Sequence, residues 1–359
     1  MASVACVPLR QIAWVFLRIG ATGFGGPIAL VSLIEHEACR RRAWLSPEEF
    51  QRSYVLCKLL PGPLAFQMAL SVGRSSAGTL GGLVAGVGLI LPSFLMMLGF
   101  AAWYSRGSLA PITVAFIEGM RVGSLAVIVE SVAGMWRPYA RDPVAAAFGA
   151  AALVLFLRFP HLEPLWIVGA GLVAVCGPRA VAGRVGCLAS PALGLLWTHF
   201  KAGAVVFGTG LAVVPYLQAK VTAAGWLTHQ QFLDGLALAQ VTPGPITTLS
   251  AFIGYKVAGL TGGIAAAIGM YLPGVILVLG LLPWLLRRSE GSPWLQRFQR
   301  GALPAVIGCI LGASLGLAPS ALGSAFAAVL FAMLIVATWL LSPPGWLVII
   351  LGGVVWVAL

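Results

Sequence analysis

The chain has 359 residues, of which 60% are hydrophobic and only 9% are charged, and its mean hydropathy is +0.98. Soluble domains carry about 45–50% apolar and about 25% charged residues, so this composition excludes an ordinary soluble protein. The basic residues that give the net charge of +12 lie singly or in short clusters between long apolar runs. This pattern is typical of residues that orient a protein in the lipid bilayer, and it argues against a nucleic-acid partner. The six cysteines and four histidines form no CxxC motif or mixed cluster, so we predict no disulfide framework, metal site or cofactor.

Apolar runs and the breaks between them divide the first half of the chain into a series of predicted elements. The apolar content allows up to about ten membrane crossings of about 20 residues each. In chain order we predict a Gly-broken helix at 12–34, a polar amphipathic stretch at 40–55, a Pro-Gly-Pro segment at 56–73, helices at 78–104 and 112–136, and a closing pair at 143–159 and 164–178. The same order of elements begins again near residue 195.

The second half repeats motifs of the first with a period of about 182 residues. Pro61-Gly62-Pro63 recurs as Pro243-Gly244-Pro245, and the glycines at 73–92 recur at 254–273. Self-similarity at a fixed period indicates a duplicated structural unit. We therefore predict an all-α polytopic membrane protein with two homologous halves. The predicted parts are a first repeat at 1–178, a linker at 179–194 and a second repeat at 195–359.

The distribution of basic residues predicts that the two repeats are inverted relative to each other. Cytoplasmic loops carry the excess of Lys and Arg. One loop of the first half has three arginines at 40–42, whereas the equivalent loop of the second half has only Lys220. Conversely, the basic cluster at 287–300 of the second half is matched only by Arg106 in the equivalent loop of the first half. Both basic loops can face the cytoplasm if each repeat has five crossings and its Pro-Gly-Pro segment is a re-entrant hairpin. Such hairpins are tolerated where the backbone is buried in protein or lines a cavity.

Interrupted helices are the second functional signal, because transporters with inverted repeats hold their solutes at such breaks. The motifs Gly23-Phe24-Gly25-Gly26-Pro27 and Phe207-Gly208-Thr209-Gly210 interrupt one helix of each repeat, and the Pro-Gly-Pro motifs interrupt another. Helix N-termini at these breaks present free N–H groups, which favour an anion. Other glycines of the long helix are better interpreted as packing faces between membrane helices. These are Gly78, Gly81, Gly82, Gly86 and Gly88.

Six phrases of the sequence carry a more specific signal. They are FLRIGATGFGGP (16–27), RRRAWLSPEEF (40–50), LLPGP (59–63), FKAGAVVFGTG (200–210), GWLTHQQFLD (225–234) and LAQVTPGP (238–245). Together they resemble the chromate ion transporter family over nearly the whole chain. The resemblance implies export of chromate, a tetrahedral dianion similar to sulfate, through the bacterial inner membrane, with coupling to protons or to a counter-anion. One position departs from the family pattern, since Lys58 replaces a usual Gln that the second repeat keeps as Gln240.

Polar and small residues around the breaks are the predicted contacts of the oxyanion. The predicted substrate-binding set is Arg18, Gly25, Gly26, Lys58, Pro61, Gly62, Pro63, Gln67, Arg74, Lys201, Gly208, Gln240, Thr242, Pro243, Gly244, Pro245 and Thr247. Arg18 and Lys201 precede the Gly-rich breaks at equivalent positions. Snorkelling of these two long side chains to the membrane interface is an equally good interpretation.

Acidic residues inside membrane segments are functional candidates by default. We predict that Glu130 and Asp234 carry coupling protons, because a carboxylate in a low dielectric can accept a proton during transport. A structural ion pair across helices is an open alternative for both residues. Glu118 is spaced to pair with Arg121 on the same helix.

Two other functions compete with secondary transport. A membrane-embedded enzyme acting on a lipid-linked phosphate would need a nucleophile or a metal-binding acidic cluster. The ten dispersed acidic residues supply no such motif, so we predict that the chain is not an enzyme. A passive anion channel would use the same residues without a coupled conformational change. A homodimer also remains open, because the sequence carries no signal for the oligomeric state.

Overall fold

The structure is a computed structural model that describes residues 7–24, 26–107, 110–159, 191–206, 210–288 and 293–359. Helices account for the secondary structure of these residues. The first half contains α1 (Leu9–Thr22), α2 (Gly26–Glu35), α3 (Pro47–Leu59), α4 (Leu64–Ser105), α5 (Pro111–Trp136) and α6 (Pro143–Arg158). The second half contains α7 (Pro191–Val205), α8 (Val214–Ala223), α9 (His229–Val241), α10 (Leu249–Ile276), α11 (Leu282–Arg288), α12 (Pro293–Ala321), α13 (Ala325–Leu341) and α14 (Gly345–Ala358).

Single turns of tighter or wider helix join several of these elements. They are π-helical at His36–Arg41 and Leu277–Leu281, and 3-10 helical at Arg137–Tyr139, Gly210–Val213 and Ile246–Thr248. The predicted helix at 164–178 and most of the predicted linker lie outside the described residues. The exact limits of the two repeats therefore stay a prediction.

Equivalent capping residues start the helix that precedes each Pro-Gly-Pro motif. The Ser46 hydroxyl accepts from the backbone N–H of Glu49 at 3.2 Å, and the Glu49 carboxylate accepts from the backbone N–H of Ser46 at 3.1 Å. Thr228 and Gln231 form the same reciprocal pair at the start of α9. This capping box satisfies two backbone N–H groups that a helix start leaves open. Because proline disfavours continuation of a helix, α3 and α9 both end just before their Pro-Gly-Pro motif.

Each long helix that follows a Pro-Gly-Pro motif contains a sharp reversal. Gly78 has a φ of +68° in α4, and Gly259 has a φ of +61° in α10. A Cβ atom on Gly73 would lie 2.3 Å from the carbonyl oxygen of Gly81, so segments 64–76 and 79–105 fold back on each other. Each Pro-Gly-Pro motif thus joins two short helices, as the re-entrant hypothesis requires. The packing interpretation of Gly78 is wrong, because this glycine supplies the left-handed conformation of the turn.

Other glycines of α4 do line helix contacts. A Cβ atom added to Gly82 would lie 2.9 Å from the carbonyl oxygen of Leu70, and one added to Gly86 would lie 2.7 Å from a methyl group of Leu70. A Cβ atom added to Gly88 would lie 3.2 Å from the Cβ atom of Phe16. Only the absence of a side chain allows these approaches. The packing interpretation of these three glycines and of Gly81 is therefore confirmed.

The closing helices are exchanged between the two repeats. Helix α6 of the first repeat packs on α12 of the second, while α13 and α14 of the second pack on α5 of the first. Glycines make both contacts close: a Cβ atom on Gly308 would lie 2.1 Å from the Gly149 carbonyl oxygen, and one on Gly119 would lie 2.2 Å from that of Gly352. Helices α1 and α7 pack on α4 and α10, which also contact each other. The core therefore lies where the two repeats interlock.

By length and composition only, four helical stretches in the described part of the chain could cross a membrane, and two of them contain the reversals at Gly78 and Gly259. The four stretches are Leu64–Ser105, Pro111–Tyr139, Ile246–Trp284 and Arg300–Ala321, and shorter apolar helices occupy Pro143–Arg158, Ala325–Leu341 and Gly345–Ala358. Exposed apolar side chains such as Leu80, Val154 and Trp339 lie on the outside of the molecule, as expected of a surface that faces lipid. These features confirm the predicted all-α polytopic membrane protein. The number of full crossings stays a prediction.

Candidate functional site

The interrupted segments of the two repeats meet each other in the core. The backbone N–H of Gly62 donates to the carbonyl oxygen of Val206 at 2.6 Å, and that of Gly244 donates to Gly23 at 2.9 Å. Val206 and Gly23 occupy equivalent positions in the Gly-rich breaks, so the two bonds are related by the internal repeat. We expected both amides to be free for an anion. In this conformation they instead hold one repeat to the other.

The two glycines of the Pro-Gly-Pro motifs are closely enclosed. Gly62 has a φ of +136° and Gly244 a φ of +100°, values that side chains rarely allow. A Cβ atom on Gly62 would lie 2.5 Å from Nε2 of Gln67, and one on Gly244 would lie 2.7 Å from Oγ of Ser93. Both motifs therefore need glycine for conformation and for space.

Neutral polar side chains surround the crossed breaks, the place where the Pro-Gly-Pro motif of each repeat bonds to the Gly-rich break of the other. Nε2 of the fully buried Gln67 donates to the Pro61 carbonyl oxygen at 2.7 Å, and its Oε1 has no hydrogen-bond partner in the described structure. The Thr242 hydroxyl donates to the Leu238 carbonyl oxygen at 2.7 Å. The buried hydroxyls of Thr247 and Tyr271 are 2.8 Å apart. The predicted residues Gln67, Thr242 and Thr247 are thus brought to the breaks, where hydroxyl and amide groups could replace water around an oxyanion.

A charged cluster joins α5 of the first repeat to α9 of the second. Both Asp234 carboxylate oxygens accept from the Arg121 guanidinium, through Nε at Oδ1 and through Nη2 at Oδ2, the latter at 3.1 Å. The Tyr104 hydroxyl donates to the same carboxylate at 2.6 Å, and the Lys256 ammonium lies 5.1 Å from the centre of the Tyr104 ring. Asp234 is thus paired across helices, the open alternative of the sequence analysis. Glu118, whose spacing allowed a pairing with Arg121, is near enough for an electrostatic interaction, but the hydrogen bonds of the guanidinium go to Asp234.

The other predicted cations lie away from the crossed breaks or are engaged in local contacts. Arg18 is exposed on α1, and the Lys201 ammonium lies 5.6 Å from the Trp197 ring centre. These placements suit interface anchors. The Arg74 guanidinium donates to the Leu279 carbonyl oxygen of the second repeat, and Lys58 is exposed at the end of α3.

The remaining predicted residues are placed as follows. Gln240, the second-repeat equivalent of Lys58, donates to the Ser124 hydroxyl at 2.8 Å, and its Oε1 is buried with no partner in the described structure. Gly26 begins α2 with a φ of +78°. Glu130 is half-buried on α5, and none of the described side chains forms an ion pair with it. Gly25 and Gly208 lie outside the described residues.

The comparison with known protein families decides how this arrangement is classified. The family model of chromate transporters matches the chain twice, over residues 10–176 and 193–357. The chain belongs to the chromate transporter family. Two separate matches to one family model also confirm that the chain has two homologous halves.

Individual relatives within the chromate transporter family span most of the chain. A probable chromate transport protein of Synechococcus elongatus is 34% identical over 337 residues, which cover 85% of this chain and 83% of the relative. A chromate transport protein of Cupriavidus metallidurans is 35% identical over 335 residues, or 86% and 82% of the two chains. A chromate transport protein of Pseudomonas aeruginosa is 27% identical over 332 residues, or 84% and 79%. No solved structure shows a significant match.

The phrases that resemble the chromate transporter family cluster in the structure. One residue from each of four phrases, namely Gly23, Gly62, Val206 and Gly244, lies where the breaks cross. Sequence reasoning did not select Arg121, Tyr104, Ser93 or Ser124 as site residues. The signal for Arg121 was present, because a lone arginine within an apolar helix is a functional candidate by the same rule applied to the acids. Tyr104 and Ser124 bond to Asp234 and Gln240, which are far away in sequence. Ser93 bonds locally to Ile90 and is a site residue only because it lies beside Gly244 of the other repeat. None of these contacts gave a signal in the sequence.

Proposed function

We propose that this chain is a secondary transporter that exports chromate, or a similar tetrahedral oxyanion such as sulfate, across the bacterial inner membrane. One observation carries the proposal: the breaks of the two repeats bond reciprocally, Gly62 with Val206 and Gly244 with Gly23. Secondary transporters hold their solutes where interrupted helices of inverted repeats converge. The printed names of the relatives, which call them chromate transport proteins, supply the substrate class.

The two backbone hydrogen bonds between the repeats, together called the joint, suit a site that must open. Each side of the joint contains one hydrogen bond between backbone groups, so movement of one repeat against the other frees the amides of Gly62 and Gly244 as donors for an oxyanion. The side chains nearest the joint are neutral, including Gln67, Thr242 and Thr247.

Coupling in this proposal rests on the two carboxylates, with anion exchange as the alternative. Asp234 is fully buried and its bond to Arg121 spans the two repeats, so a proton on its carboxylate would weaken that connection. Glu130 lies on the same helix as Arg121. Proton entry would then be linked to movement of the repeats. Exchange against a second anion would need no change at either carboxylate.

Counterflow in proteoliposomes tests the proposal. Vesicles containing the purified protein are loaded with unlabelled chromate, and traces of labelled chromate are added outside. A carrier accumulates the label transiently above equilibrium, whereas a passive channel only equilibrates it. Loading with sulfate tests substrate range, and an imposed pH gradient tests proton coupling. Absence of accumulation with both anions, relative to protein-free vesicles, contradicts the proposed function.

A further inference from the structure

Equivalent faces of the two repeats have unequal exposure. In α3, Arg52 and Lys58 are exposed and Val55 is 48% exposed. The equivalent positions of α9 are Asp234 and Ala237, both 0% exposed, and the half-buried Gln240. Helix α9 is covered because it packs on α5, with hydrogen bonds from Arg121 to Asp234 and from Gln240 to Ser124. The structure is therefore closed along α5 and α9 and more open along α3.

The charged pair occurs at only one of these two interfaces. Helix α12 is the counterpart of α5, and its positions equivalent to Arg121 and Ser124 are Leu303 and Val306. The α3 residue equivalent to Asp234 is Arg52, whose guanidinium donates to the Leu286 carbonyl oxygen. The helices α3 and α12 therefore have no counterpart of the pair, so the pair is not a feature that both repeats share. A buried ion pair is also weak as a source of stability, because desolvation offsets the attraction between the charges.

The internal repeat indicates what happens to the pair when the access state changes. Alternating access in transporters with inverted repeats moves one repeat against the other around a fixed site. For this chain we take that movement to exchange the arrangements of the equivalent helices α3 and α9. In the opposite state α9 then takes the exposed arrangement that α3 has here. Asp234 separates from α5 in that state, and the Arg121 guanidinium is left on α5 without its carboxylate. Among the described residues, Glu118, Tyr104 and Lys256 are other charged or titratable groups around this cluster.

We infer that Arg121 binds the transported oxyanion in the opposite access state, and that Asp234 occupies its donors in the present one. This inference rests on the proposed function and adds to it a cationic ligand at the interface of α5 and α9. The guanidinium holds the carboxylate through two N–H groups, Nε and Nη2. The same planar fork binds two oxygens of a tetrahedral dianion. An anion that replaces Asp234 offsets the cost of separating the pair, so oxyanion binding favours the opposite state.

The test measures chromate binding to purified protein by calorimetry, in the wild type and in neutralised variants. Arg121→Gln/Asp234→Asn removes both charges and leaves no unpaired buried ion. The matched control is Arg300→Gln/Asp142→Asn, which neutralises another arginine–aspartate pair between the repeats, with hydrogen bonds of 3.2 and 3.0 Å at an exposed position. Asp234→Asn alone removes the competing carboxylate and keeps Arg121.

The expected result is a roughly tenfold to hundredfold loss of chromate affinity in the Arg121→Gln/Asp234→Asn variant. The control pair should bind as the wild type does, and Asp234→Asn alone should bind more tightly, because it removes the carboxylate that competes for the Arg121 donors. Wild-type affinity in the Arg121→Gln/Asp234→Asn variant overturns the inference, as does an equal loss in Asp234→Asn. If that double variant does not fold, Arg121→Lys replaces it, with a loss of affinity expected and wild-type affinity overturning the inference. A wild type that binds neither chromate nor sulfate contradicts the proposed function instead.

Discussion

The backbone N–H of Gly244 donates a hydrogen bond to the carbonyl oxygen of Gly23, 2.9 Å away, although the two glycines belong to different repeats. The equivalent bond from Gly62 to Val206 is 2.6 Å long. Neither bond extends a helix, because each one joins an interruption in one repeat to an interruption in the other. The joint between the repeats is therefore built from backbone, and the glycine conformation controls its geometry.

Substitution of the glycine in either Pro-Gly-Pro motif should abolish transport. Gly244→Ala introduces a Cβ atom 2.7 Å from Oγ of Ser93 at a φ of +100°, and Gly62→Ala introduces one 2.5 Å from Nε2 of Gln67. Backbone strain of this kind costs about 1–3 kcal/mol. We expect both variants to reach the membrane in normal amounts and to lose chromate counterflow.

Gly225→Ala is the matched control for this prediction. Gly225 also has a positive φ of +66°, but nothing lies within 4 Å of an added Cβ atom. The variant carries similar backbone strain away from the crossed breaks, so it should keep transport. An equal loss in the Gly225 and Gly244 variants would show that strain alone, and not the joint, accounts for the effect.

The helical hairpins should be the most sensitive part of the fold to small substitutions. Gly254→Ala places a Cβ atom 2.2 Å from the Gly262 carbonyl oxygen, where backbone cannot give way cheaply. Overpacking of a core typically costs about 1–3 kcal/mol. Thermal unfolding of the protein in detergent should occur at a lower temperature in this variant. Gly99→Ala, which has open space at Cβ, should unfold as the wild type does, and equal behaviour of the two variants would contradict the hairpin.

The turn after α2 should make a small, pH-dependent contribution to stability. Burial raises the pKa of Glu37, but hydrogen bonds from Arg41 at 2.9 Å and Arg42 at 3.1 Å outweigh it and lower the pKa below its ordinary value of 4.5. A lowered folded-state pKa gives stability that is present above pH 4.5 and is lost as the pH falls through the folded pKa.

The measurement is the unfolding temperature of the wild type and of Glu37→Gln between pH 7 and pH 3. At neutral pH the wild type should be more stable than Glu37→Gln. The difference in unfolding free energy should be no more than about 1 kcal/mol, because the turn is partly exposed. The difference should disappear at the acid end. A difference that grows towards low pH would refute the assignment.

The inverted arrangement predicts that equivalent loops lie on opposite sides of the membrane. Arg40 and Ala223 are both exposed, and they follow equivalent parts of the two repeats. In Arg40→Cys, a thiol reagent that cannot cross membranes should label the protein only from the cytoplasm. In Ala223→Cys it should label only from outside. Labelling of both positions from one side would mean that the repeats are parallel.

Features set by local sequence could be predicted, because proline and glycine interrupt helices wherever they occur. The Gly-rich break after α1 and the breaks at both Pro-Gly-Pro motifs were predicted from residue type alone. Gly78 shows the limit of this reasoning. It lies in a run of glycines that serve packing, and only the backbone conformation distinguishes the one that makes a turn.

Features set by contacts across the chain could not be predicted. Asp234 pairs with Arg121, which is far away in sequence, while the local spacing favoured Glu118. The exchange of α6 and α14 between the repeats likewise depends on glycine contacts, such as Gly119 with Gly352, that no single segment encodes. The bonds of Gly62 and Gly244 have the same origin, since their acceptors lie in the opposite repeat.

The most direct test of a pathway through the crossed breaks uses Ser93→Cys in a background without other cysteines. Ser93 is fully buried beside Gly244, so a thiol there is reached only through the opened joint. Met96→Cys on the same helix is the control, because Met96 is 40% exposed on the outer surface. We predict that a small thiol reagent blocks chromate counterflow in Ser93→Cys, that chromate slows this block, and that Met96→Cys is unaffected by chromate. Modification of Cys at position 93 without loss of counterflow, or a block that chromate does not slow, would contradict a pathway between the repeats.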